Sequence, residues 1–151
     1  MTILVRIHLR WMIRRDMDDV ARIETASFPS PWGEESFLEQ LRREDVVSLI
    51  AEVNDRPVGY LIYELRRKSL HVLRMAVDPD YRGRGVGTRL VDKLKAKIGM
   101  DTRRDRVTAD VADDNTGAQL FLRACGFLAV AVEREGCKDT GRDLYRMAWS
   151  K

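Results

Sequence analysis

The chain has little cysteine, no long apolar stretch and no repeated segment. Its two cysteines, Cys125 and Cys137, are too few for a disulfide framework, and they lack the Cys/His spacing of a zinc site. We therefore expect no bound metal and a reducing, cytoplasmic setting. Because no apolar run is long enough to cross a bilayer, we also expect no membrane-spanning segment.

Length and composition are typical of one globular domain. The sequence has 151 residues, of which 44% are hydrophobic and 34% are charged. No Ser/Gly/Pro-rich linker and no low-complexity tract divides it. We therefore expect a single domain over residues 1–151, in which one fold holds every binding site.

Strand-like and helix-like patterns alternate along the chain, which predicts an α/β or α+β fold. Apolar runs predict strands at residues 7–15, 46–53, 58–65, 70–77, 107–111, 127–135 and 144–149. Helical spacing predicts a first helix between Asp16 and Pro29, and further helices at residues 33–43, 85–98 and 115–124. Asp16 is the expected N-cap of the first helix, and Gly99 the expected C-cap of the third. Turn residues at 54–57 predict a hairpin of the second and third strands.

Charge is distributed unevenly along the sequence. Residues 82–106 hold nine Arg/Lys and three Asp, a net charge of +6, whereas residues 16–55 hold eleven Asp/Glu and three Arg, a net charge of −8. The first segment suits a polyanion and the second suits a cation. The alternative is that both segments are solvated surfaces without a charged partner.

A glycine-rich segment lies between a predicted strand and the most regular predicted helix. Residues 82–87 read Arg-Gly-Arg-Gly-Val-Gly. Glycines let an anion approach the backbone amides, and the helix N-terminus adds partial positive charge. The segment is not a nucleotide-hydrolase loop, because no Lys follows the last glycine. It is not a dinucleotide fingerprint either, because Thr88 stands where the third glycine belongs.

Three stretches resemble one known family. Residues 75–87 read Met-Ala-Val-Asp-Pro-Asp-Tyr-Arg-Gly-Arg-Gly-Val-Gly, which resembles the cofactor motif of the GNAT superfamily, Arg/Gln-x-x-Gly-x-Gly/Ala after a strand. Arg82, Gly85 and Gly87 fill its fixed positions. Asn115, followed by a helix that runs into a Gly-Phe pair, resembles the second motif of that family. Phe-Pro-Ser-Pro-Trp at residues 28–32 resembles the segment between the first two helices of the RimI branch, the ribosomal-protein-alanine acetyltransferases.

The resemblance implies an α/β (α+β) GNAT fold, with a mixed, mostly antiparallel sheet of about six to seven strands and about four flanking helices. It also implies acetyl-CoA as co-substrate, with the pantetheine arm along residues 73–77 and the pyrophosphate on the amides of residues 82–87. The +6 segment would attract the 3′-phosphate of the adenosine. The residues implied to bind acetyl-CoA are Met75, Ala76, Val77, Arg82, Gly83, Arg84, Gly85, Val86, Gly87 and Asn115. Phe28 and Trp32 are implied to line the acceptor groove.

The implied reaction is direct transfer of acetyl to a primary amine in a ternary complex. An α-amine, with a pKa near ~8, needs less help from a base than a lysine, with a pKa near ~10.4. The RimI-like segment favours a peptide or protein N-terminus, and the −8 segment would favour a cationic acceptor. Lysine, polyamine and aminoglycoside acceptors remain open because one scaffold serves many substrates.

Asp110 lies on the predicted strand where RimI-like enzymes place a glutamate that acts as base. Its shorter carboxylate is expected to act through a water molecule. The alternative is a strand-end aspartate that makes only local hydrogen bonds. His71, in a neighbouring predicted strand, is interpreted as a packing residue because the sequence shows no partner for it.

Leu122 stands where the family usually has a tyrosine that protonates the departing thiolate. Leucine cannot donate a proton, and Leu122 and Cys125 share an apolar helical stripe typical of core residues. Tyr81, Tyr145 and Cys125 are the remaining candidate donors.

The missing tyrosine leaves a second class of function open, a non-catalytic acyl-CoA-binding or sensing module. A third class, binding of nucleic acid by the +6 segment, is disfavoured because its Arg and Lys lack interleaved aromatic residues. It would also leave the glycine-rich segment unexplained.

Overall fold

A β-hairpin forms the middle of the sheet in the computed structural model, which describes residues 5–138 and 140–151. Strands β2 (Val46–Val53) and β3 (Arg56–Leu65) pair antiparallel. They are joined by Asn54 and Asp55, whose φ values are 51° and 64°. Asn and Asp tolerate this left-handed conformation, which matches the twist of a tight hairpin. The predicted hairpin is therefore confirmed, although β3 begins two residues earlier than expected.

Five further strands extend the sheet on both sides of the hairpin. They are β1 (His8–Trp11), β4 (Ser69–Val77), β5 (Arg106–Ala112), β6 (Leu128–Glu133) and β7 (Leu144–Ser150). The order is β1-β2-β3-β4-β5-β7-β6, and every neighbouring pair is antiparallel except β4 with β5. The described residues thus form the mixed, mostly antiparallel sheet of seven strands that the resemblance implied.

Two pairs of helices cover the two faces of this sheet. On one face lie α1 (Met17–Ser27) and α2 (Glu34–Leu41), and on the other lie α3 (Val86–Met100) and α4 (Thr116–Ala124). Each helix buries its apolar stripe against the strands. The four α-helices among the described residues agree with the expected number.

Alternation along β3 builds both layers of the core. Leu61 and Tyr63 point to the α3 side, whereas Tyr60 and Ile62 point to the α1 side, and all four are buried. Successive side chains of a strand face opposite sides, so one central strand serves two hydrophobic layers.

Several predicted boundaries were wrong. The first strand stops at Trp11, because the chain then turns into a single 3₁₀ turn at Arg14–Asp16. The second helix is shorter at both ends than the predicted residues 33–43. Gly99 is not a C-cap but lies inside α3; the C-cap is Asp101, whose carboxylate accepts hydrogen bonds from the amides of Arg103 and Arg104.

Asp16 precedes α1 as predicted, but its carboxylate does not cap that helix. It accepts hydrogen bonds from both terminal guanidinium nitrogens of Arg10, each at 2.8 Å, and from the Ile13 amide at 2.8 Å. Burial alone would raise the pKa of Asp16, but these donors outweigh it and hold the pKa below its ordinary value. The carboxylate therefore ties β1 to the start of α1.

Replacing Asp16 by Asn removes the ion pair with Arg10 without removing an N-cap residue, because Asn is as good an N-cap as Asp. We expect Asp16→Asn to lower the free energy of unfolding at pH 7 by about 1–3 kcal/mol, since Arg10 loses one of its two charged partners and keeps only Glu52. The folded-state pKa is depressed, so this contribution is present above the unfolded pKa and is lost as the pH falls through the folded pKa. Urea unfolding of wild type and variant should therefore converge as the pH falls below about 4.

Asp18→Asn provides the matched control, because Asp18 lies in the first turn of the same helix and is exposed. Its loss should cost no more than about 0.5 kcal/mol. Equal costs for the two variants would mean that negative charge at the helix start, and not the pair with Arg10, is what stabilises this region.

Candidate functional site

The site begins where β4 and β5 separate. The two parallel strands pair only from Ser69 with Arg106 to Val72 with Ala109. Beyond that point β5 stays paired with β7 on its other side, while β4 has no partner on the side of β5. Residues 73–77 therefore offer backbone N–H and C=O groups to an extended ligand, as an open sheet edge does.

A bulge in β4 accompanies this separation. Against β3, Tyr63 pairs with Val72 and Ile62 pairs with Arg74, so that Leu73 is the extra residue. A bulge bends its strand and increases the local twist. It also brings Leu73 and Arg74 to the same face of the sheet, on the side of α1.

The glycine loop, residues 82–87, follows β4 and leads into α3. Gly83 and Gly85 have φ values of 74° and 88°, in the region that favours glycine. The first amides of a helix have no partner within the helix. Within the described residues we find no hydrogen bond donated by the amides of residues 83–88. These amides and the positive end of α3 therefore suit a phosphate group.

A cavity of about 480 Å³ connects the open edge of β4 with the glycine loop. This volume is within the usual range for small-molecule and cofactor sites. Its wall includes residues predicted for the cofactor and for the acceptor groove: Met75, Ala76, Val77, Arg82, Gly83, Gly85, Val86, Gly87, Asn115 and Phe28.

Of the residues predicted to bind acetyl-CoA or to line the acceptor groove, two lie outside this wall. The guanidinium carbon of Arg84 lies 5.3 Å from the ring centroid of Tyr81, and Arg84 is exposed. Trp32 packs edge-on against Phe37, with ring centroids 5.2 Å apart. Asn115 does line the cavity, and its side-chain oxygen caps α4 by accepting from the Ala118 amide at 3.2 Å.

Phe121 and Ser27 also line the cavity, although neither was predicted from the sequence as a site residue. An added Cβ at Gly87 would lie 3.0 Å from the ring of Phe121. A side chain at residue 87 would therefore press on the Phe121 ring where α3 meets α4. Ser27 receives a hydrogen bond from Arg82 at 3.0 Å, and Arg82 also donates to the Val77 carbonyl at 3.1 Å. A helix-end serine gives no sequence signal for such a contact.

Asp110 lies on β5 directly after the last residue that pairs with β4. Its two carboxylate oxygens accept from Arg146 Nε and Nη2 at 3.0 and 3.2 Å. The nearer oxygen of Asp110 is also 3.6 Å from His71 Nε2. Asp110 is not part of the cavity wall, but it lies at the point where the two strands diverge.

His71 has the partners that the sequence did not reveal. It is buried, and its Nδ1 lies 2.7 Å from the Thr108 hydroxyl. Burial lowers the pKa of His71, and Arg66 and Arg146 lower it further, against the opposing effect of Asp110 and Glu64. The imidazole is therefore neutral near pH 7 and lies between a hydroxyl and the candidate base.

Leu122 and Cys125 are buried in the core on the α3 side, as predicted. Burial also raises the pKa of the Cys125 thiol. Of the three candidate proton donors, Tyr81 is the one that lines the cavity, whereas Cys125 and Tyr145 do not.

The −8 segment is partly neutralised by arginines from other parts of the chain. Asp16 and Glu52 form ion pairs with Arg10, and Glu24 forms one with Arg74. Its net sequence charge therefore overstates the negative potential available to a cationic acceptor.

None of the helices in residues 5–138 and 140–151 combines the length and apolar character that a bilayer crossing requires. In the same part of the chain, no group of three or more His, Cys, Asp or Glu side chains is arranged to hold a metal ion.

Comparison with known proteins identifies the class to which this fold and site belong. Residues 17–127 match the acetyltransferase (GNAT) family, and the chain belongs to that family. It is thus an acyltransferase that uses acetyl-CoA, as the resemblance implied.

Two of the similar proteins are named as RimI or ribosomal-protein-alanine N-acetyltransferases. The chain is 31% identical over 143 residues to the N-alpha-acetyltransferase RimI of Mycobacterium tuberculosis, covering 90% of this chain and 87% of that protein. Its fold matches the ribosomal-protein-S18-alanine N-acetyltransferase of Escherichia coli with a TM-score of 0.82 and 20% identity, over 96% and 94% of the two chains. It also matches Arabidopsis thaliana Naa50 in complex with a bisubstrate analogue, with a TM-score of 0.79, 19% identity, and coverage of 97% and 100%.

Gly85→Ala tests the glycine loop. Alanine in the left-handed conformation costs about 1–2 kcal/mol, so the loop should relax away from its geometry. Each 1.4 kcal/mol corresponds to a factor of ten, so we expect acetyl-CoA to bind about tenfold more weakly. Isothermal titration calorimetry with acetyl-CoA measures this directly.

Gly99→Ala is the matched glycine control, because an added Cβ there meets no atom within 4 Å. Acetyl-CoA affinity should remain that of the wild type, and the free energy of unfolding should rise by about 0.5–1 kcal/mol, since Gly99 lies within α3. Wild-type affinity in Gly85→Ala would show that the conformation of residue 85 does not matter for the cofactor.

Proposed function

We propose that this protein transfers the acetyl group of acetyl-CoA to the α-amino group of a peptide or protein N-terminus. The observation that carries the choice of acceptor is the similarity, over nearly the whole length of both chains, to an N-alpha-acetyltransferase. The Phe-Pro-Ser-Pro-Trp segment between α1 and α2 supports the same choice, because Phe28 lies in the wall of the cavity.

Acetyl-CoA fits the site by its shape and by its charge. The open edge of β4 can pair with the amide groups of an extended pantetheine arm, and the glycine loop can receive the pyrophosphate. The cavity joins these two features without a break. We therefore assign Met75, Ala76 and Val77 to the arm and residues 82–87 to the pyrophosphate.

Acetyl-CoA supplies the thioester whose acyl group is transferred. The acceptor nitrogen must be neutral to attack the thioester carbon, and it must lose a proton as the new C–N bond forms. Asp110 is our candidate for the base, acting through a water molecule. Although Arg146 donates to both of its oxygens, each carboxylate oxygen has a second lone pair that can accept from water.

When the C–S bond breaks, the departing thiolate takes up a proton. Leu122 cannot provide it, because it is an apolar side chain in the core. Tyr81 is the candidate donor whose side chain borders the cavity, and water is the alternative.

The test of acceptor class is release of CoA thiol from acetyl-CoA with three matched acceptors. The first is a peptide with a free N-terminus, the second is the same peptide acetylated at its N-terminus and carrying an internal lysine, and the third is a polyamine. We expect turnover with the first alone, with mass spectrometry placing the added acetyl group on the α-nitrogen. Turnover with the second or third only would contradict the proposed acceptor, and tight binding of acetyl-CoA with no thiol release would favour a sensing module.

Asp110→Asn tests the base. The substitution keeps the shape of the side chain but removes its ability to accept a proton at neutral pH, so we expect kcat to fall about 10²-fold or more with little change in the KM for acetyl-CoA. The loss should shrink above pH 8, where most of an α-amine is neutral without help. A steady-state pH profile of wild type and variant measures both effects.

Asp114→Asn is the control for this experiment, because Asp114 is an exposed, arginine-paired aspartate just after β5. It should leave kcat within about twofold of the wild type. If Asp110→Asn behaves in the same way, Asp110 serves only its pair with Arg146.

A further inference from the structure

A fully buried carboxylate lies behind the cavity wall, on the side of α1. Glu24 is 0% exposed, and it accepts hydrogen bonds from the Tyr60 hydroxyl, the Arg74 guanidinium and the Trp32 amide. We call these groups the Glu24 cluster. Arg74 Nε lies 3.1 Å from both carboxylate oxygens, and the Trp32 amide nitrogen lies 2.7 Å from one of them. The mechanism above uses none of these groups.

The Glu24 cluster joins two segments that meet at the site. Glu24 is on α1, whereas Arg74 follows the bulge of β4 and directly precedes Met75 of the cavity wall. Residues 28–33, the α1–α2 connector, are held between them. The connector is bonded at both ends, since the Phe28 amide donates to the Glu24 carbonyl at 3.1 Å and the Trp32 amide donates to the Glu24 carboxylate.

Arg74 also fixes an aromatic side chain of the connector. Its guanidinium carbon lies 3.6 Å from the ring centroid of Phe28 and 5.0 Å from that of Trp32. A guanidinium stacked on an aromatic ring is attracted by the negative face of the ring. Phe28 is therefore held by Arg74 while it lines the cavity.

Stability alone does not account for such a cluster. A buried ion pair contributes little net stability, because desolvation of the two charges offsets their attraction, and apolar replacements of similar volume are often neutral. A directional set of hydrogen bonds instead fixes the relative position of the segments that it joins. Burial and the neighbouring Glu24 raise the pKa of Tyr60, so the phenol remains protonated and continues to donate.

We propose that Glu24 and Arg74 are positioning residues that hold the α1–α2 connector against β4, and so set the place of Phe28 in the acceptor groove. This inference rests on the proposed function. Its consequence is selective: loss of the cluster weakens use of the acceptor, whereas the acetyl-CoA part of the site, built from β4 backbone and the glycine loop, is unaffected.

The test uses the double variant Glu24→Gln, Arg74→Met, which removes both charges together and leaves no unpaired buried ion. Gln still accepts from the Trp32 amide, and Met keeps the packing of the arginine stem. We expect an acceptor KM about tenfold higher, an acetyl-CoA KM within about twofold of the wild type, and a similar melting temperature. Hydrogen–deuterium exchange over residues 28–33 should be faster in the variant.

A double-mutant cycle with Phe28→Ala identifies the route of the effect. If the Glu24 cluster acts through the position of Phe28, adding Phe28→Ala to the double variant should raise the acceptor KM little further. The effects should not add, because all three substitutions remove the same contact between Phe28 and the acceptor. Fully additive effects would overturn the proposal, and so would an unchanged acceptor KM or an equal rise in the KM for acetyl-CoA.

The control variant Arg10→Met, Asp16→Asn removes the Arg10–Asp16 ion pair near α1 and also the pair of Arg10 with Glu52, neither of which touches the connector. It should change stability without changing the acceptor KM, and an acceptor KM raised as much as in the test variant would overturn the proposal. If the wild type acetylates no acceptor, the proposed function fails, but the exchange experiment still decides the positioning role. Unchanged exchange over residues 28–33 in the double variant would then refute it.

Discussion

The short parallel pairing of β4 with β5 is the constraint on which the rest of the site depends. The two strands share four paired positions and then separate, because a bulge at Leu73 bends β4 while β7 keeps β5 in its own direction. Their separation leaves a strand edge unpaired inside the fold, where an extended ligand can take the place of the missing strand. The glycine loop lies at the end of that edge, so a loop suited to phosphate and a strand edge suited to backbone pairing are continuous.

The face of the sheet towards α1 carries several buried or partly buried polar groups. Glu24, Arg74 and Tyr60 lie under the α1–α2 connector, and His71 lies between Thr108 and Asp110 farther along the sheet. Buried polar groups are costly unless their hydrogen bonds are satisfied, so each such group fixes the geometry of its partners. The α3 face is instead almost wholly apolar and anchors the helix that follows the glycine loop. One face therefore holds the cofactor loop in place, and the other positions the groups that would meet the acceptor.

Much of this arrangement was predictable from sequence. The hairpin, the seven strands, the four helices and the glycine loop all depend on local patterns, namely period-two alternation, helical spacing and glycines at positive φ. Errors arose at boundaries where a distant or capping contact decides the outcome. Gly99 was predicted to end α3, but Asp101 ends it, and Asp16 bonds Arg10 instead of capping α1. His71 was interpreted as a packing residue because its partner Asp110 is 39 positions later in the numbering.

The sequence by itself determined the fold class, the family and the loop suited to a pyrophosphate, because the residues that encode them are contiguous and their backbone preferences are local. Only the tertiary structure decided which charges are free and which are neutralised, and which side chains reach the cavity. The −8 segment suited a cationic partner on its sequence charge alone. In the fold, Arg10 and Arg74, from other strands, pair with carboxylates of this segment. Such pairings join residues far apart in the chain, and their energies depend on burial and distance, which no local pattern records.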